Sequence, residues 1–283
     1  MRGLLTTILL VAFFATPLSA KELTGTLQEI QKTGKIKIGY RQSQPPMSFL
    51  DKDGTPSGYS IDLCQHIVTE VKNIIGSDVT IEYVPVTAAE RFKALSDNKI
   101  DLLCGATTRT LSRGELVDFT QLTFVTGASF MALKGTKIRN NFAGKKLGVV
   151  AGTTTAVALN RLLEDAQIEA DVVLLKSSAE AVKALEKKEI DAFSADQIVL
   201  IGLAITSGKP KNFTVLPDLF SYEPFALAVR RNDADFRLVA DRVISDLYRS
   251  RKVLPIYDKW LGGFSTKRTS AFEALIKLNA IPE

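Results

Sequence analysis

Residues 93–101 read KALSDNKID and residues 183–191 read KALEKKEID, so one short pattern occurs twice in the chain. Each copy has helix-forming residues, then a turn, and leads into a short apolar run, IDLLCG in the first copy and IDAFSAD in the second. Helix, turn and strand in this order are the unit of an α/β sheet. The repeat therefore predicts two similar α/β lobes, although units of this composition also recur by chance.

Strand and helix patterns alternate on both sides of each copy. KIKIGYR (35–41) alternates apolar and polar residues as a strand does, and a Pro-rich turn separates it from GYSIDLCQHIVTEVKNII (58–75), whose apolar residues recur at helical spacing. VTIEYVPV (79–86) is a second strand, and KKLGVV (145–150) and ADVVLL (170–175) are strands of the second half. The fold class is therefore α/β, with each lobe a β-sheet flanked by helices.

The end of the chain favours one inserted lobe over a third domain. After FALAVRR (225–231) the sequence contains amphipathic helical segments that are too few for another domain and are expected to complete the first lobe. We expect lobe 1 to comprise residues 21–125 and 226–283, and lobe 2 to be residues 126–225. Two hinge crossovers would then lie near 124–131 and 222–228. The tail 265–283 is a candidate for an additional helix.

Residues 1–20 read MRGLLTTILLVAFFATPLSA, a basic residue, an apolar run and small residues in succession. This order predicts a signal peptide that is cleaved near Ala20, and hence a protein exported to the periplasm. An uncleaved anchor is the alternative, but the apolar run is shorter than the roughly 20 residues that span a bilayer.

Composition excludes several classes of function. The chain has 283 residues, a formal net charge of +5 and interspersed charges, which disfavours nucleic acid as a partner. Cys64 and Cys104 cannot form a C-x-x-C site or a four-ligand zinc site, and they are either a disulfide or buried thiols. The helical spacing of Cys64 with apolar neighbours favours buried thiols. His66 is the only histidine, and we expect it to be a solvated helix residue.

Two small-residue loops follow predicted strands, CGATT (104–108) and AGTTT (151–155). Loops and helix N-termini at the carboxyl ends of strands present free N–H groups to ligands. Arg113, five residues beyond Thr108, could supply a bidentate guanidinium. Either loop alone would be an ordinary polar loop with a threonine cap, but two such loops facing across a cleft suit a carboxylate.

Several ordered stretches resemble the periplasmic polar amino acid-binding proteins of ABC transporters, solute-binding protein family 3. They are GYRQSQPPMSFLDKDGTPSGYSIDL (39–63), KIDLLCGATTRTLSR (99–113), VDFT (117–120), VVAGTTT (149–155), IDAFSADQIVL (190–200) and YDKWLG (257–262). The resemblance runs from about residue 24 to this last segment. It implies a type II periplasmic-binding-protein fold, an amino acid ligand, a membrane permease as partner and a monomer. It implies no enzyme activity, catalytic residue, cofactor or metal.

The resemblance also implies roles for individual residues. Arg113 lies where the family holds the α-carboxylate of the ligand, with the N–H groups of Thr108 and Thr154. Asp196 lies where a carboxylate receives the ligand ammonium, together with the Ala106 carbonyl and the Thr108 hydroxyl. Asp196 could equally be a helix N-cap, and Thr153 belongs to the second loop.

Side-chain specificity is expected to depend on Arg41 and Arg91, which lie where glutamate/aspartate-binding members have arginines. Two positions depart from that pattern, because Ala88 replaces an expected serine and Ser178 an expected histidine. Glutamate, aspartate or a related dicarboxylate is the first choice of ligand. The alternatives are another polar amino acid, an enzyme resembling the periplasmic cyclohexadienyl dehydratases, and a sensor module, for which the sequence shows no kinase or channel domain.

Overall fold

The computed structural model describes residues 22–139, 141–264 and 268–283, and the predicted signal peptide and its cleavage site lie outside them. The strands in these residues are β1 Lys35–Tyr40, β2 Ser43–Gln44, β3 Ser48–Leu50, β4 Pro56–Ser57, β5 Thr80–Pro85, β6 Leu102–Cys104, β7 Val117–Thr126, β8 Ala128–Leu133, β9 Lys146–Val150, β10 Asp171–Leu175, β11 Ala192–Asp196, β12 Phe213–Val215 and β13 Glu223–Arg230. The α-helices are α1 Gly25–Thr33, α2 Tyr59–Ile75, α3 Arg91–Ser96, α4 Thr154–Asp165, α5 Ser178–Glu186, α6 Gln197–Thr206, α7 Ala234–Arg249, α8 Val253–Leu261 and α9 Ser270–Leu278. No helix in these ranges is both long and apolar enough to cross a membrane.

The described residues form two five-stranded sheets, with strand orders β5-β1-β6-β13-β7 and β10-β9-β11-β8-β12. In the first sheet β5, β1 and β6 are parallel and β13 is antiparallel to both of its neighbours. The second sheet repeats this arrangement, with β8 in the place of β13. Buried side chains of each sheet pack against helices on both faces. The α/β fold with two lobes is therefore confirmed.

The repeated sequence makes the same contacts in both lobes. Asp101 accepts a hydrogen bond from the Lys37 N–H at 2.8 Å, and its own N–H donates to the Lys37 carbonyl at 2.7 Å. Asp191 does the same with Lys146, at 2.8 Å in both directions. Each aspartate thus fixes the strand that follows the repeat beside its parallel neighbour, β1 in the first lobe and β9 in the second.

The chain passes between the sheets at two adjacent places. It leaves the first sheet at Thr126 and enters the second at Ala128, and it returns between Val215 and Glu223. The intervening Gly127 lies directly against the Ser221 carbonyl, so the two connections run side by side. The C-terminal helices then pack on α2 and β7 of the first sheet.

Two predictions need correction, and one is confirmed. Cys64 and Cys104 form a disulfide, so the favoured interpretation as thiols is wrong; α2 lies across the end of β6 and brings the two Cα atoms to 6.4 Å, within bridging range. The Pro-rich turn contains the small sheet β2-β3-β4. His66 is exposed on α2, as expected.

The C-terminal tail does form an additional helix, α9. Its Phe272, Leu275 and Ile276 side chains are buried. The Phe272 ring lies 4.1 Å from that of Tyr257 and 6.2 Å from that of Phe124, centroid to centroid. The tail therefore belongs to the core beside β7.

Candidate functional site

The predicted site residues lie where the two lobes touch. Gly202 of α6 in the second lobe packs against the backbone carbonyl of Pro45 in the first. A Cβ at Gly152 would lie 3.2 Å from the Cα of Ala89, again across the lobes. A cavity of about 1010 Å³ opens beside the second of these contacts and is lined in part by Gly152, Arg113, Thr154 and Glu223, whereas Arg41, Arg91 and Asp196 are not among its lining residues.

The first loop is held firmly by the strand that returns from the second lobe. The Ala226 N–H donates to the Thr107 carbonyl at 3.0 Å, and the Arg109 N–H donates to the Pro224 carbonyl at 2.8 Å. Thr108 itself pairs with β13, and Ala106 is buried beside it. The disulfide fixes the other end of the loop at Cys104. The loop is thus preorganised before any ligand contact is made.

The second loop leads into α4, and Thr153 and Thr154 in this loop make different hydrogen bonds. Thr153 is the N-cap: its hydroxyl oxygen accepts from the Ala156 N–H at 3.2 Å, and the hydroxyl donates to the Val150 carbonyl at 2.7 Å. Thr154 is the first helical residue, and its hydroxyl reaches the first lobe, 3.2 Å from the Thr108 hydroxyl. Thr154 therefore extends its hydroxyl to the other lobe, while the Thr153 hydroxyl caps the helix beside the same cavity.

Three arginines converge on this place. Arg113 folds back and donates to the Thr108 carbonyl at 2.8 Å and to the Gly152 carbonyl of the second lobe at 3.5 Å. Its guanidinium and that of Arg91 lie 5.3 and 4.6 Å from the centre of the Phe92 ring. Arg41 and Arg91 are buried, and Arg91 donates to the Ala88 carbonyl. A guanidinium keeps its charge in proteins, so positive charge is concentrated here.

Burial and neighbouring charges shift the pKa values of the three arginines. Burial lowers the pKa of Arg41 to about 10, and Asp196 opposes that shift. Burial also lowers the pKa of Arg91, and the nearby Arg113 and Arg41 lower it further. Burial lowers the pKa of Arg113, whereas Glu223 and Asp196 raise it. The charges of the arginines, Asp196 and Glu223 therefore influence one another.

Asp196 ends β11 and precedes α6, but in the described part of the chain its side chain makes no capping hydrogen bond. Asp196 thus occupies the N-cap position of α6 without capping the helix through its side chain. Burial and the charge of Glu223 raise the pKa of Asp196 to about 8, although Arg113 and Arg91 act in the opposite direction. Within residues 22–139, 141–264 and 268–283, the buried atoms Asp196 Oδ1 and Arg91 Nε have no hydrogen-bond partner.

Ser178 is buried at the start of α5, where the preceding Ser177 caps the helix by accepting from the Glu180 N–H at 3.2 Å. The helix lies next to β2 of the first lobe. Ser178 thus lies on a helix that borders the contact between the lobes.

Sequence reasoning missed two buried polar residues. Glu223, only 1% exposed, accepts hydrogen bonds from the hydroxyls of both Thr108 and Thr154 at 2.6 Å. Gln44 is buried close to the first loop, and its Oε1 has no partner among the residues that the structure describes. The available signal for Glu223 was a lone acidic residue at the edge of the apolar run PFALAV (224–229).

Two sheet-based lobes joined by adjacent crossings, with charged groups from both lobes meeting between them, define the class of periplasmic binding proteins. Within that class the chain belongs to the bacterial extracellular solute-binding proteins, family 3, whose model matches residues 36–263.

Comparisons with individual proteins agree with this membership. The chain is 33% identical over 262 residues to the L-glutamate/L-aspartate-binding protein of Pseudomonas aeruginosa, covering 91% of this chain and 87% of the relative. It is 30% identical over 238 residues to the glutamate/aspartate import solute-binding protein of Salmonella typhimurium, covering 83% of this chain and 79% of that relative. A crystal structure of an ancestral amino acid-binding protein, a precursor of cyclohexadienyl dehydratase, matches with a TM-score of 0.72 and 26% identity, covering 83% of this chain and 99% of that one.

Proposed function

We propose that this protein captures glutamate or aspartate between its lobes in the periplasm and, as a monomer, delivers it to an ABC transporter permease. The observation that carries the proposal is the charge of the cleft. Arg41, Arg91 and Arg113 meet Asp196 and Glu223, and once an ammonium ligand holds Asp196 in its ionised form these five groups leave an excess of one positive charge. Glutamate and aspartate each carry a net charge of −1, which offsets that excess. The two named relatives support the same ligands.

In this proposal the two ends of the ligand bind different groups. Arg113 and the N–H groups of Thr108 and Thr154 hold the α-carboxylate, while Asp196, the Ala106 carbonyl and the Thr108 hydroxyl receive the ammonium. Arg41 and Arg91 hold the side-chain carboxylate, with Ser178 at the border of the site. The unpartnered Arg91 Nε and Asp196 Oδ1 support this placement, because buried polar groups are almost always hydrogen-bonded.

Because these groups come from both lobes, we propose that residues 21–125 with 226–283 and residues 126–225 close on each other around the ligand. Closure would present a distinct surface to the permease. The contact of Gly202 with Pro45 supports this part of the proposal, since it joins the lobes beside the site.

An enzyme of the cyclohexadienyl dehydratase kind is the second candidate. A buried carboxyl whose pKa is raised to about 8, as in Asp196, is suited to act as a general acid, and one matching structure is a precursor of such an enzyme. Incubation with prephenate or arogenate distinguishes the candidates, because an enzyme would release an aromatic product and a binding protein would release none.

Calorimetry with each common amino acid tests the proposed function. We expect glutamate or aspartate to bind best and glutamine at least about tenfold more weakly, since the neutral amide leaves buried guanidiniums without a counter-charge. A preference for glutamine, or for a hydrophobic or basic amino acid, would overturn the acidic ligand while leaving amino acid binding intact.

A further inference from the structure

Glu223 is a buried carboxylate at the first residue of β13, where the chain returns from the second lobe to the first. Three hydroxyl groups surround it. Thr108 and Thr154 donate to its Oε2 at 2.6 Å each, and Ser221 donates to its Oε1 at 2.7 Å. Thr108 belongs to the first loop and Thr154 to the second, so one carboxylate oxygen binds a hydroxyl from each wall of the cleft.

These hydrogen bonds decide which way the two threonine hydroxyls point. A hydroxyl has one proton to donate and two lone pairs with which to accept. Thr154 Oγ1 lies 3.2 Å from Thr108 Oγ1 but 2.6 Å from the carboxylate. The short, charge-assisted bonds to Glu223 take both protons. Each hydroxyl oxygen therefore faces the cleft as an acceptor.

We infer that Glu223 is a positioning residue that makes the cleft select ligands bearing an ammonium group over the same acids without one. It holds the Thr108 and Thr154 hydroxyls as acceptors and places a second negative charge next to Asp196. The inference rests on the proposed function, in which an amino acid binds between these loops.

The same hydrogen bonds explain why acids without an ammonium group should bind weakly. In glutarate the ammonium is replaced by a methylene hydrogen, which cannot satisfy the two acceptor hydroxyls or the Glu223 carboxylate. In 2-oxoglutarate it is replaced by a carbonyl oxygen, which would face these same acceptors. Specificity of this kind arises from unpaired and repelling groups as much as from favourable ones. Wild-type protein should therefore bind glutamate at least about a hundredfold more tightly than either analogue.

The test is Glu223→Gln, which keeps the size of the side chain but removes its charge and adds an NH₂ donor. We expect glutamate affinity to fall at least about tenfold, while affinity for glutarate and 2-oxoglutarate stays level or rises, because a hydroxyl proton becomes available to them. Calorimetry with the full-length mature protein measures all three ligands, and a thermal melt checks that the variant is folded.

Thr154→Val carries the test independently if Glu223→Gln does not fold. It removes one of the two oriented hydroxyls at nearly constant volume. The ratio of the affinity for glutamate to the affinity for glutarate should therefore decrease. Thr154→Ser keeps the hydroxyl and should keep the wild-type ratio. Thr69→Val is the matched control, since it is the same substitution on α2, where the Thr69 hydroxyl donates to the Gln65 carbonyl of its own helix. It should leave the ratio unchanged.

The outcomes separate the two proposals. Equal losses for glutamate and glutarate in Glu223→Gln, or wild-type protein that binds both equally, would overturn the role of Glu223 and leave the proposed function standing. Wild-type protein that binds no acidic amino acid would overturn the proposed function. If it instead bound another amino acid, the ratio for that ligand and its deaminated analogue would decide the role of Glu223 by the same criterion.

Discussion

Arg91 is the residue on which discrimination between an acid and its amide is expected to depend. It is 2% exposed, its Nε has no partner in the described part of the chain, and it lies near two other guanidiniums. Arg91→Met should lower glutamate affinity at least about tenfold, or roughly 1.4 kcal/mol, while the weak affinity for glutamine stays level or rises. Arg41→Met should act alike.

Calorimetry with glutamate and glutamine measures both effects, and Arg109→Met is the control because Arg109 is exposed next to the first loop. If Arg91→Met kept the full preference for glutamate, the side-chain carboxylate would have to bind elsewhere.

Asp196 should make ligand affinity depend on pH. An ammonium ligand favours the ionised carboxylate, but the raised pKa of about 8 keeps this group mostly protonated at neutral pH. Binding must then release a proton, so affinity should rise from about pH 6 to about pH 8, by up to about tenfold per unit, and level off above. Calorimetry in buffers of different ionisation enthalpy counts the protons released.

Asp196→Asn should bind more weakly and lose this slope, because the amide does not titrate. A flat affinity profile in the wild-type protein between those pH values would contradict ammonium binding by Asp196.

The residues of the site were predictable from sequence to the extent that each lies in a recognisable loop. Arg113, Thr108 and Thr154 follow strands in small-residue runs, and the structure brings them together. Glu223 could not be assigned in this way, because its partners are 115 and 69 positions away in the chain. Only the folded arrangement gives a lone acidic residue two hydroxyls to orient.

Among the secondary-structure elements, the C-terminal helix α9 should contribute more to the free energy of unfolding than its nine residues suggest. Phe272 is 1% exposed between the rings of Tyr257 and Phe124. Phe272→Ala should lower the free energy of unfolding by about 3–5 kcal/mol, because it leaves a cavity in the core. Urea denaturation measures the change, and Leu278→Ala is the control on the same helix, as Leu278 is 74% exposed. A loss below about 1 kcal/mol for Phe272→Ala would mean that α9 is dispensable.

Elements with a clear hydrophobic period were predicted well, and those without one were not. The repeated helix–turn–strand units and α9 have several apolar residues each at regular spacing. Strands β2 and β4 are two residues long and show no period at all. The turns of the repeat place Asn98 and Lys188 at φ of 58° and 60°, a conformation that the lysine gives no reason to expect.

For the whole molecule, closure should depend on the missing side chain of Gly202. A Cβ there would overlap the Pro45 carbonyl of the other lobe. Gly202→Ala should therefore lower glutamate affinity at least about tenfold, and the radius of gyration should decrease less on ligand addition than in the wild type. The open form, in which the lobes are apart, should lose no stability, since alanine in a helix is favoured over glycine by about 1 kcal/mol.

Small-angle scattering and calorimetry test this expectation together. Gly263→Ala is the control, as a Cβ there has no neighbour within 4 Å. Should Gly202→Ala bind and contract like the wild type, the lobes need not approach as closely as they do in this structure.

The strand order of the first sheet also sets the order in which the halves of the molecule can be completed during synthesis. β13 lies between β6 and β7 and ends only at Arg230, so the first sheet stays in two pieces until the ribosome has made that residue. The second sheet has all its strands between Ala128 and Val215, and it can assemble earlier. The lobe that begins first along the chain is therefore finished last, and the last strand to arrive carries Glu223 into place between the two loops.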